Sequence, residues 1–77
     1  MSIGMLNSMK MLKEFPTVLL QLRTAQNTTQ KQVAAAVGIT YQSYQAYESG
    51  ITTPRLEHFI KLCQFFDVTP NELLGLE

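Results

Sequence analysis

"TQKQVAAAVGITYQSYQAYESG", Thr29 to Gly50, decides how this chain folds. Thr29 followed three residues later by Gln32 is a capping box. The threonine hydroxyl can accept from a first-turn N–H, and the glutamine can reach back to the cap. The run Val33-Ala34-Ala35-Ala36-Val37 then favours helix. Gly38 supplies a left-handed stop. Thr40 opens a second helix, and Gly50 closes it. That second helix places Gln42, Ser43 and Gln45 near its start, residues for which a purely supporting helix has little use.

Counting from Gln30, the fifth residue is Ala34 and the ninth is Gly38. The fourth, eighth, tenth, fifteenth and eighteenth are Val33, Val37, Ile39, Tyr44 and Tyr47. Alanine lets the second helix approach closely, glycine makes the turn, and the five apolar residues fix the pair to a core. This is the steric formula of a helix-turn-helix, spanning about 30–49.

Outward from this pair, apolar residues recur at three and four, and no segment alternates convincingly with period two. The expected fold is all-α with five helices. The first starts near Pro16, a residue suited to the first helical position, and runs to about Ala25 with Phe15, Val18, Leu19 and Leu22 inward. The fourth follows Pro54, with Leu56, Phe59, Ile60, Leu62, Cys63 and Phe66 as a broad apolar face. The fifth begins at Thr69 as cap, Pro70 first and Glu72 third, and docks Leu73 and Leu74. The division expected is an extension at 1–14 and a domain at 15–77. Pro16 disfavours helical geometry at Phe15 and separates the two. Two readings stand for Met1–Glu14: a mobile start, or an amphipathic helix of Ile3, Met5, Leu6, Met9 and Leu12 that covers a neighbour or a second subunit.

The chain has 77 residues, 45% of them apolar, which suits one small domain rather than a disordered tail. No apolar run approaches the roughly 18 residues of a membrane span, and no signal peptide is read. A single cysteine, Cys63, excludes an internal disulfide and fits a reducing cytoplasm. Net charge is zero but unevenly spread. Met1–Arg55 holds Lys10, Lys13, Arg23, Lys31 and Arg55 against Glu14 and Glu48, a balance of +3. Leu56–Glu77 holds Lys61 against Glu57, Asp67, Glu72 and Glu77, a balance of −3. Such asymmetry is expected when one face meets a polyanion. No nucleophile, base and orienting group come together and no phosphate-cradling loop is present, so no enzyme is expected. His58 and Cys63, five apart on one helix, turn away from each other and make no metal pair; no cofactor is expected.

The phrases "TQKQVAAAVGIT", "YQAYESG" followed by Pro54, and "LEHFIKLCQFFDVTPNELLG" resemble the lambda-repressor-like, Cro/CI-type DNA-binding domains over about Phe15 to Leu76. The resemblance implies five helices, double-stranded DNA as partner, and commonly a homodimer acting on transcription. It implies that Gln30 holds a phosphate and that Tyr41, Gln42 and Gln45 read bases from the third helix. Ser43 and Ala46 would lie at the margins of that face. Arg23 and Glu48 match a partly buried structural ion pair of the family. Glutamine can present a matched donor and acceptor to adenine. Thr29, Lys31, Thr52, Thr53 and Arg55 are the remaining candidates for phosphate or groove-margin contact. The loop Ile51–Arg55 departs from the family, carrying one charge where relatives are often basic.

The expected function is a small transcriptional regulator, a repressor that occludes DNA as a dimer on a pseudo-palindromic operator. The alternative is a protein-interaction module, antitoxin-like or a regulator's partner, with weak or no DNA binding. With no effector domain expected, any signal would act through another protein, proteolysis or abundance.

Overall fold

The computed structural model describes the backbone of residues 2–76 and the side chains of residues 13–76. Five helices follow in order: α1 (Ser2–Ala25), α2 (Gln30–Val37), α3 (Tyr41–Ser49), α4 (Leu56–Phe66) and α5 (Pro70–Leu73). Among the described residues there is no strand.

The caps are made by the residues whose chemistry suits them. Thr29 accepts from the Gln32 N–H while the Gln32 side chain accepts from the Thr29 N–H. Thr69 and Glu72 repeat the arrangement at α5, where Pro70 needs no partner for the N–H it lacks. Thr40 caps α3 through the Ser43 N–H. Gly38 and Gly50 end α2 and α3 at φ of 77° and 81°, a left-handed geometry that strains any residue with a Cβ. The α4 stop uses Asp67 instead, at φ 57°. Aspartate tolerates that region better than most non-glycine residues.

The helical break expected at Pro16 is absent: α1 passes through Pro16 without interruption. An interior proline costs a helix roughly 3 kcal/mol in a lost hydrogen bond and steric crowding. Packing on both sides offsets it. Phe15 is buried with its ring centroid 6.2 Å from that of Phe59, and Leu19 is fully enclosed. Glu14 lies so close to Gly75 that a Cβ there would sit 2.9 Å from the Glu14 Cβ. The apolar stripe expected from Ile3, Met5, Leu6, Met9 and Leu12 lies outside the described side chains.

The core joins Phe15 and Leu19 of α1, Val33, Ala34 and Val37 of α2, and Tyr44 and Tyr47 of α3. Leu62, Cys63 and Phe66 of α4 and Leu73 of α5 complete it. Burial raises the Cys63 thiol above its ordinary pKa, as befits a packing residue. Only part of the apolar face expected on α4 is buried. Leu56 is 72% exposed and Ile60 45% exposed, on the flank turned away from Leu62 and Phe66. His58 is half-buried, with Nδ1 3.4 Å from the Tyr47 hydroxyl.

Candidate nucleic-acid interface

Two small choices set the geometry of α2 against α3. Ala34, 2% exposed, has no side chain to hold α3 away. Gly38 reverses the chain within a few residues. With Tyr44 and Tyr47 turned inward, helical periodicity leaves Gln42, Gln45 and Ser49 on the outside. An open groove of about 450 Å³ runs along that face, lined by Gln30, Gln42, Gln45, Ala46, Glu48, Ser49 and Ile51.

Beside it lies a smaller hollow of about 290 Å³, lined by Arg23, Thr29, Gln30, Lys31 and Tyr41. Gln30, the first residue of α2, borders both. The Lys31 ammonium sits 5.3 Å from the centroid of the Tyr41 ring, close enough for a cation–π contact across the two helices.

The base candidates therefore divide. Gln42 and Gln45 share the groove, whereas Tyr41 lines the hollow with Thr29, Gln30 and Lys31. Ala46 also lines the groove. The Ser43 hydroxyl is engaged by the Thr40 cap hydroxyl at 2.9 Å, so its position belongs to the helix start. Thr52, Thr53 and Arg55 are exposed in the connection after α3. Arg55 lies 3.9 Å from Glu57, an exposed pairing that solvent screens and a phosphate can displace. Ile51 was not singled out from the sequence, yet it is 77% exposed and borders the groove. Its one sequence signal is a bulky β-branched residue directly after a helix-stopping glycine in an otherwise polar loop.

From the groove wall inward, Glu48 and Arg23 lock α3 to α1. The Arg23 Nε donates to Glu48 Oε2 at 2.5 Å and Nη2 donates to Oε1 at 3.2 Å. Arg23 Nη1 donates to the Thr28 carbonyl, so the same guanidinium holds the α1–α2 turn. The Tyr44 hydroxyl and the Gln30 amide also donate to Glu48, at 2.6 and 2.9 Å. Burial alone would push the Glu48 carboxyl up. Donation from Arg23, Tyr44 and Gln30, with the Arg23 charge, outweighs it and leaves the pKa below its ordinary value. Burial, reinforced by Glu48, drives the Tyr44 phenol up. The Glu48 side chain is 6% exposed and paired with Arg23, so an acidic residue lines the groove with its charge compensated from inside.

A tight helix-turn-helix displaying polar side chains from its second helix is the class of architecture these features define. The chain belongs to the Cro/CI-type helix-turn-helix family, whose model matches residues 19–73. It is 40% identical over 53 residues to the cryptic phage CTXphi transcriptional repressor RstR of Vibrio cholerae, covering 69% of this chain and 47% of that protein. It is 41% identical over 59 residues to the HTH-type transcriptional regulator AnsR of Bacillus subtilis, covering 77% and 51%. It is 39% identical over 64 residues to the HTH-type transcriptional activator BcrR of Enterococcus faecalis, covering 83% and 31%. The chain thus spans about half the length of the first two relatives and less of the third. No solved structure gives a significant match to it. No described helix is long and apolar enough to cross a membrane.

Proposed function

We propose that this chain binds double-stranded DNA in a sequence-specific manner, as a transcriptional regulator that represses by occlusion. The observation that carries the reading is the exposed glutamine pair on α3, Gln42 and Gln45, facing one open groove. A major groove admits an α-helix, and glutamine can donate to and accept from one adenine edge. In this reading Gln42 and Gln45 meet bases, while Tyr41 packs on a thymine methyl or the sugar backbone. Thr29, Gln30 and Lys31 meet phosphates beside them. Thr52, Thr53 and Arg55 meet phosphates from the far end of α3, with Ser43 and Ala46 at the groove margin.

One such helix reads only a few base pairs, so the active form is a homodimer on two half-sites about 10 base pairs apart. Support for a subunit contact comes from the exposed Leu56 and Ile60 on α4 and Leu76 beyond α5. With only six Lys and Arg in the chain and Arg23 held by Glu48, the salt slope should be on the order of −3 to −5 per dimer. Retention on a DNA column across a salt series, followed by selection of bound duplexes from a random pool, tests the reading. Enrichment of a two-fold-symmetric site is the expected result. Failure to retain any duplex at low salt would move the function to protein interaction.

A further inference from the structure

Glu48 is where the buried network meets the outer surface of the helix pair. Three donors fix it from inside: Arg23 Nε at 2.5 Å, Arg23 Nη2 at 3.2 Å and the Tyr44 hydroxyl at 2.6 Å. A fourth, Gln30 Nε2 at 2.9 Å, comes from the half-buried residue that borders both the groove and the hollow. The two ends of a glutamine amide have similar shape and opposite polarity. Facing a carboxylate, only the NH₂ end is favourable, because the carbonyl would set one acceptor against another. The NH₂ group has two hydrogens and Glu48 takes one. One N–H and the carbonyl remain for a ligand.

We infer that Glu48 is a positioning residue for Gln30: its carboxylate holds the amide nitrogen inward and presents the remaining N–H and the carbonyl to DNA in fixed places. This rests on the DNA-binding reading above. An unrestrained glutamine gives up rotamer freedom when it binds, whereas Gln30 has given it up on folding. Among the described residues Gln42 and Gln45 make no comparable bond, so of the three glutamines that line the groove only Gln30 is restrained in this way.

The test is a double-mutant cycle on duplex DNA selected by the wild type, at a temperature where every variant is folded. Gln30→Ala should weaken binding about tenfold, the scale of one hydrogen bond to a charged group. Glu48→Gln removes a negative charge, which by Coulomb attraction alone would strengthen binding to phosphates. It should weaken binding instead, because the new amide lets Gln30 turn over. The double variant should bind no worse than the weaker single variant. Losses that multiply, to about a hundredfold, would overturn the positioning role while leaving DNA binding intact. No duplex binding by wild type would overturn the underlying reading and this inference with it. If Glu48→Gln does not fold, the wild-type side-chain amides decide by NMR. The Gln30 NH₂ should exchange with water more slowly than those of Gln42 and Gln45 in the same spectrum, and equal exchange would overturn the proposal.

Discussion

The inner and outer faces of α3 both carry polar groups and put them to opposite uses. Tyr44 and Glu48 point inward, and each polar atom there has a partner on α1, α2 or α3. Gln42 and Gln45 point outward and, among the described residues, lack such partners. Polar atoms buried with full hydrogen bonding specify how helices dock, and leaving one unpaired is costly. Polar atoms left open to solvent contribute little to folding and are available to a ligand. Substitutions on the inner face should therefore act on stability, and those on the outer face on recognition.

Tyr44→Ala should have the largest effect on folding. It empties a fully enclosed site and removes a donor from Glu48, costing about 3–5 kcal/mol. Denaturant melting measures it, and a loss under about 1 kcal/mol would mean that the inner face is not the structural one.

Arg23→Ala comes next, at about 3 kcal/mol, because Glu48 is left buried without its charge partner. It should also change the response to acid. The native state keeps Glu48 ionised to lower pH than the unfolded chain does. The pair's contribution is therefore complete above the ordinary carboxylate range and is lost as pH falls through the folded pKa. Melting curves between neutral and acid pH should show this loss in wild type and a weaker one in Arg23→Ala.

Thr40→Ala should cost about 1 kcal/mol, the usual scale of a lost N-cap, and free the Ser43 hydroxyl. Because it loosens the start of α3, it should also weaken DNA binding modestly. A full-scale loss of binding with unchanged melting would place Thr40 on the outer face instead.

What could be read from sequence was mostly local. Thr29 with Gln32 and Thr69 with Glu72 interact within one turn, so their spacing is enough to find them. Gly38 and Gly50 mark left-handed positions that only glycine takes without strain. The continuity of α1 through Pro16 was not legible, because Phe59 and Gly75, which hold the flanking residues, are far along the chain. Asp67 as a helix stop was missed because an aspartate in that conformation is uncommon and carries no spacing signal. The candidate site divides the same way. The exposed start of α3 follows from its period. The Gln30–Glu48 bond links residues 18 apart and depends on how α2 crosses α3. Ile51 at the groove edge depends on the path of the loop after Gly50.

The smallest effect on folding should come from Gln42→Ala, and it tests the outer face most directly. Gln42 is exposed on the first turn of α3, and alanine is the best helix former, so melting should not fall. Non-specific binding should persist, since phosphates supply that term. Discrimination at one base pair of each half-site should drop by about 1–3 kcal/mol, the scale of a bidentate base contact. The measurement is a competition assay in which each operator position is varied against wild type and variant. Weakened preference confined to one symmetric pair of positions is the predicted result. Unchanged preference at every position would contradict the assignment of Gln42 to a base and pass that role to Tyr41 or Gln45.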